Sequence, residues 1–177
     1  FRSARDQMLR RHGPDHPLAI QSSSSLAHAL RYLGRFEEAE ALLLDVLQRA
    51  EIVLGELHLD TQMACYELGS IYGRVGRLEE AAVMLERGLA ILRALAGPSD
   101  PQLGSTLESL ASVRTMSDDH EGAIEAAREA VEIAILNLGA THARVLQGRM
   151  FLGYELGRLG RFAEAEEMHK LAYEGWR

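Results

Sequence analysis

One seven-residue stretch returns on a fixed beat, and that beat constrains the fold more than any other feature of the chain. Gly34-Arg35-Phe36-Glu37-Glu38-Ala39-Glu40 recurs as Gly76-Arg77-Leu78-Glu79-Glu80-Ala81-Ala82 and as Gly160-Arg161-Phe162-Ala163-Glu164-Ala165-Glu166, at intervals of 42 and 84 residues. The copy due at position 118 reads Asp118-Asp119-His120-Glu121-Gly122-Ala123-Ile124, degenerate but with its alanine in phase. Gly13, Gly55, Gly97 and Gly139 keep the same interval of 42, each opening a short polar segment. Self-similarity at this period specifies a repeat array, in which each element buries its apolar face against the next and chain length sets no limit on the core.

The polar segments read as helix breaks. Gly13-Pro14-Asp15-His16-Pro17 offers a glycine for a left-handed stop, an aspartate to accept an orphan N–H, and a proline for the first helical turn. Gly55-Glu56-Leu57-His58-Leu59-Asp60, Gly97-Pro98-Ser99-Asp100-Pro101 and Gly139-Ala140-Thr141-His142 are its counterparts, and Ser99 with Gln102 fits a capping box. Between breaks, each 42-residue segment divides into two helices at the Gly-Arg-Phe turn. First helices are predicted over 17–33, 61–75, 101–116 and 142–159, and second helices over 36–54, 78–96, 121–138 and 162–176. Phe36, Ala39, Leu43, Val46, Leu47, Ala50 and Leu54 form the apolar stripe of an amphipathic helix, repeated by Ala81, Leu85, Leu89, Leu92 and Leu95. Residues 1–12, in phase with the end of a second helix, read as the tail of a preceding repeat, so that a chain opening at Phe1 reads as trimmed.

Composition narrows the function. A net charge of −7 argues against the basic face that nucleic acid requires. No apolar run approaches the roughly 18 residues of a membrane helix, and no cationic amphipathic helix suits a membrane surface. Neither nucleic acid nor membrane is expected as a partner. Cys65, the one cysteine, excludes an internal disulfide and fits a reducing, cytoplasmic setting. All 19 basic residues except Lys170 are arginine, a hint of GC-rich coding and a bacterial source.

Small residues recur where helices must approach closely: Ala27, Gly69, Ala111 and Gly153 in the first helices, and Ala39, Ala81, Ala123 and Ala165 in the second. Leu26, Leu68, Leu110 and Leu152 precede the first set, and Gly34, Gly76 and Gly160 follow it by seven residues. This ladder resembles the tetratricopeptide repeat, whose usual unit is about 34 residues. The longer period, the Gly-Pro-Asp-His-Pro linker and the Gly-Arg-Phe turn are similar to the 42-residue variety of kinesin light chains and many bacterial multidomain proteins. The resemblance implies an all-α, right-handed α-solenoid of about four helix-turn-helix repeats, at 13–54, 55–96, 97–138 and 139–177, after the partial helix of 1–12. Two departures stand out. The third repeat replaces the Gly-Arg-aromatic turn with Ser117-Asp118-Asp119-His120, so a looser or differently shaped turn is expected there. The paired asparagines of kinesin light chains are here Ser24-Ser25, Tyr66-Glu67, Glu108-Ser109 and Met150-Phe151, which bears on ligand identity.

Nothing in the sequence carries an enzyme signature. His16, His58 and His142 hold equivalent loop positions in different repeats, too far apart to converge on a metal, and read as loop and cap histidines. Ser22 to Ser25 fall inside a helix by phase, Gly153 to Gly160 lack the strand and Lys-Ser/Thr of a phosphate loop, and Glu37-Glu38 and Glu166-Glu167 sit on solvated helix starts. Neither a cofactor nor a metal is expected.

The inner surface remains. The resemblance implies that first helices line a concave groove, which by phase comprises Gln21, Ser24, Ser25, His28 and Arg31, then Met63, Tyr66, Glu67, Ser70 and Arg74. Ser105, Glu108, Ser109 and Ser112 follow, then Gln147, Met150, Phe151, Tyr154 and Arg158. Arginine and tyrosine dominate recognition energetics, and Arg31, Arg74 and Arg158 suit an acidic segment. The leading expectation is a non-catalytic scaffold that binds a peptide segment of a partner protein. The alternatives are a regulatory or sensor segment of a larger enzyme or signalling protein, and end-to-end self-association through apolar ends that include Trp176.

Overall fold

The computed structural model describes residues 2–177, with side chains from residue 6 onward; Phe1 lies outside the described residues. Among these the secondary structure is nine α-helices and no strand: α1 (Arg2–His12), α2 (Pro17–Tyr32), α3 (Phe36–Val53), α4 (Leu59–Arg74), α5 (Leu78–Leu95), α6 (Pro101–Met116), α7 (His120–Leu138), α8 (Ala143–Arg158) and α9 (Phe162–Gly175). Helix boundaries follow the repeat beat within about two residues, the largest shift being α4, which starts at Leu59 rather than Thr61.

Contacts divide the chain into two compact blocks, Phe1–Leu95 and Ala96–Arg177. In the N-terminal block each helix packs on the next from α1 to α5, and α2 also meets α4. In the C-terminal block α6 packs on α7, α7 on α8 and α8 on α9. The apolar stripe forms the interior of each: Leu43, Leu68, Ile71 and Leu85 in one, Leu103, Ile124, Val145 and Leu156 in the other, all essentially without exposure. The small-residue ladder sits where predicted. Ala27, Ala39, Ala81 and Ala123 are fully buried, and a Cβ added to Gly69 would lie 2.7 Å from Leu85 Cγ.

The helix starts bear out the cap histidines but not the expected Asp15 and Ser99 caps. Asp15 does not cap α2; the cap is His16, whose Nδ1 accepts from the Leu18 N–H at 3.2 Å. His58 and His142 do the same for α4 and α8, at 3.1 and 3.2 Å. Asp15 pairs instead with Arg49. Asp100, not Ser99, caps α6, accepting from Gln102 N at 2.7 Å. The cap must have extended backbone angles so that its side chain folds back on the first turn, and His16, His58, Asp100 and His142 all have them.

The third turn also departs from expectation, because it is not looser. Gly34, Gly76 and Gly160 take the left-handed conformation that lets the next residue's N–H return to a carbonyl of the last helical turn. Those bonds are Arg35 N to Leu30 O, Arg77 N to Tyr72 O and Arg161 N to Leu156 O, at 2.9–3.0 Å. Asp118 adopts the same conformation at φ 60°, and Asp119 N reaches Arg114 O at 2.9 Å. Asp119 then caps α7 by accepting from Gly122 N at 3.0 Å, a bond Arg35 and Arg161 do not make. Aspartate tolerates this conformation better than most residues, since its side chain bonds locally.

Candidate functional site

In the N-terminal block, α2 and α4 bring most of the predicted lining residues together. Gln21, Ser24, Ser25 and His28 from α2 face Met63 and Glu67 from α4 across a depression of about 300 Å³, with Leu43 at its base and Asp60 at one side. The serines donate to carbonyls one turn back, Ser24 to Ile20 at 3.2 Å and Ser25 to Gln21 at 3.0 Å, so their hydroxyls are already engaged within the helix.

Glu67 is the electrostatic centre of this surface. Its side chain is 8% exposed and meets His28 Nδ1 at 2.7 Å and Arg31 Nε at 2.5 Å. Burial opposes the Arg31 charge, but the Glu67 carboxylate outweighs it and moves the guanidinium above arginine's ordinary pKa. Arg31, itself 11% exposed, also lies 4.6 Å from the Tyr32 ring centroid. The predicted arginine is therefore held by a carboxylate of its own block. Arg74, by contrast, is exposed and without a hydrogen bond or ion pair among the described residues. Tyr66 and Ser70 are half-buried beside it on α4.

The C-terminal block gathers its lining residues around a smaller pocket of about 180 Å³. Glu108 and Ser112 of α6 and Gln147 and Phe151 of α8 form its mouth and wall, with Ala127 and Ala130 of α7 below. Arg144, which the sequence reading missed, fixes this edge. It donates from Nε and Nη2 to the two Glu108 oxygens at 2.7 and 2.8 Å, and from Nη2 to Ser105 Oγ at 2.9 Å. Ser109 and Ser112 donate back along α6. Tyr154 and Arg158 lie elsewhere, in an open depression between α8 and α9 with Phe162, His169 and Tyr173. Met150 is exposed, and Arg158 stands 3.8 Å from Asp118.

A second polar pair escaped the sequence reading. Glu155 of α8 has no exposure, and one of its oxygens meets His120 Nδ1 of α7 at 2.8 Å while the other has no partner among the described residues. The repeat phase could have found it: Glu155 stands 84 residues after Ile71, and His120 stands 84 after Phe36.

Among the described residues no three His, Cys, Asp or Glu side chains come together as a metal site. Cys65 is buried, and burial pushes its thiol up to about 11, far from the thiolate a nucleophile needs. No described helix is long and apolar enough to cross a membrane.

Comparison with known proteins agrees with this architecture. The family model for the tetratricopeptide repeat matches at residues 1–52, 20–94, 60–135 and 102–177, which together span the chain. Two Arabidopsis thaliana proteins, kinesin light chain-related 2 and 1, are 29% and 27% identical over 86% and 97% of this chain. Those matches cover 24% and 27% of the relatives, so the chain spans about a quarter of their length. Among solved structures, TPR-like repeats from a Podosopora anserina protein described as a kinesin light chain superpose with a TM-score of 0.84 at 22% identity, covering 99% of this chain and 83% of that one. BtubC (BKLC) from P. vanneervenii gives 0.76 at 24% identity, covering 97% and 67%. MamA gives 0.73 at 19%, covering 98% and 85%. At these identities the structural likenesses establish the repeat fold.

Proposed function

The chain belongs to the tetratricopeptide repeat family, and on that premise we propose that it is a non-catalytic interaction module that holds a peptide segment of a partner protein against its first helices. The observation that carries this reading is the convergence of lining residues from α2 and α4 on one depression, and from α6 and α8 on another. Each presents amides and carboxylates above an apolar floor, the combination that orients a peptide backbone while burying a side chain. Arg74 and Arg158 are exposed, so they are the cations that an acidic segment would meet; Arg31 is held by Glu67. Arginine usage and the lone cysteine support a bacterial, cytoplasmic setting. A regulatory or sensor role within a larger protein is a second reading, favoured by relatives about four times as long.

The test is a paired capture. The chain and its Arg74→Glu/Arg158→Glu variant, both shown to be folded by circular dichroism, are used to capture partners from lysate. Peptides tiling each captured protein are then titrated by fluorescence anisotropy. A peptide that binds the chain and loses about tenfold or more in affinity with the variant supports the reading. Peptides that bind both alike, or capture without any binding peptide, would overturn it.

A further inference from the structure

The two pockets occupy equivalent places in the repeat but differ in chemistry, and the difference defines an occupant. Leu43, Ala64 and Glu67 around the N-terminal depression correspond, 84 residues on, to Ala127, Gly148 and Phe151 around the C-terminal pocket. A buried leucine has become alanine, the small residue beside it has lost its last carbon, and a buried carboxylate has become a phenyl ring. Val46 has likewise become Ala130. Asp60 corresponds to Arg144, so the acidic edge of one pocket is a guanidinium at the other. These exchanges remove side-chain volume from the floor and two carboxylates from the lining, while Ser24 gives way to Glu108, whose oxygens are taken up by Arg144.

Resting on the peptide-binding reading above, we propose that the C-terminal pocket is the anchor site of the module and takes one phenylalanine side chain of the partner peptide. Size is the first argument. The pocket holds about 180 Å³, and an apolar cavity of roughly 150 Å³ suffices for a benzene ring. The wall is the second, because Phe151 offers an offset or edge-to-face partner for an incoming ring. Charge is the third. Arg144 is locked at the edge by both oxygens of Glu108 and by Ser105, so its guanidinium is already positioned to lie against a ring face. A ring seated on the floor of Ala111, Ala127 and Ala130 takes apolar surface out of water. The N-terminal depression is larger, at about 300 Å³, but with Glu67, Asp60 and His28 at its walls it offers neither the ring nor the guanidinium edge.

The probe is N-acetyl-L-phenylalanine amide, titrated into the isotope-labelled chain and followed by amide chemical shifts, with N-acetyl-L-alanine amide as control. Saturable shifts at Ala111, Ala127 and Gly148 are expected with the first probe and not with the second. Ala127→Leu restores the side chain carried at Leu43 and Leu85, both of which are buried without difficulty, so it should fold and weaken probe binding about tenfold or more. Phe151→Glu, which restores the residue found at Glu67, gives the same reading independently if the leucine disturbs α7. Absent shifts, shifts shared by the alanine probe, shifts that survive both substitutions, or shifts centred on Gln21 and Met63 would each overturn the proposal. A partner peptide that loses affinity with Arg74→Glu/Arg158→Glu yet binds Ala127→Leu normally would remove the anchor site and leave the peptide-binding reading standing.

Discussion

Where the N-terminal block has Phe36 at the start of α3 and Ile71 near the end of α4, the C-terminal block has His120 at the start of α7 and Glu155 near the end of α8. Ile71 and Glu155 are both completely buried, one as part of an apolar interior and the other as a carboxyl group bonded to a histidine at 2.8 Å. The repeat therefore specifies the place of a side chain and how far it is buried, and leaves its polarity open provided that the facing position changes with it. A buried carboxyl group alone would be prohibitive, and a histidine supplied from the neighbouring helix makes it tolerable. The second Glu155 oxygen is buried and has no partner among the described residues.

Breaking the pair on one side tests this comparison most severely. His120→Phe should leave Glu155 buried without its partner and destabilise the chain by about 3–5 kcal/mol, read by urea unfolding. His120→Phe/Glu155→Ile, which copies the N-terminal block, should recover that loss and exceed the parent by about 1–4 kcal/mol. Additive losses in the double variant would show that the two positions do not act as a pair.

The turns sharpen the same comparison at a smaller scale. Asp118 takes the left-handed conformation that Gly34, Gly76 and Gly160 take at equivalent places. Asp118→Gly should raise stability by about 0.5–1 kcal/mol, because the Cβ penalty disappears while the bond from Asp119 N to Arg114 O stays. A loss of stability would mean that the distant contacts of Asp118 with His120 and Arg158, at 3.7 and 3.8 Å, outweigh its backbone strain.

Helix positions were legible in the sequence because two glycine markers and an apolar stripe kept one beat, and each marker has a local cause. The caps were less so. Asp15 and His16 are adjacent and both carry acceptors, and only the backbone angles at His16 decide between them. The lining surface was legible as a face, since helical phase places Gln21, Ser24, His28 and Met63 together. Its electrostatics were not, because Arg31 with Glu67 and Glu108 with Arg144 are each 36 residues apart, and pairs across repeats depend on how helices pack. His120 with Glu155 was the recoverable case, two polar residues at positions that other repeats keep apolar.

The turn arginines give the last and smallest contrast. Arg77 bonds Glu80, three residues on, and Glu40 of the preceding helix pair, while Arg161 bonds Glu164 and Glu121 in the same way. Glu164 receives in addition a bond from Arg128 at 3.0 Å, which Glu80 has no counterpart for, since the equivalent residue, 36 before Glu80, is Leu44. The hydrogen bond from Arg77 holds the Glu80 carboxyl below the usual carboxylate range, and that from Arg161, helped by Arg128, does the same for Glu164. A carboxylate whose pKa falls on folding stabilises the fold above its unfolded value and loses that contribution as pH drops through the folded value. Both contributions should therefore fade only in acid below the ordinary glutamate range, and both should be small at these solvated positions. Side-chain carbon shifts followed against pH give the measurement. Arg77→Gln should return Glu80 to the ordinary range, whereas Arg161→Gln should return Glu164 only part of the way, because Arg128 remains. Equal recovery in the two variants would show that Arg128 contributes nothing, and that the turn arginine alone sets the charge of this helix start in both blocks.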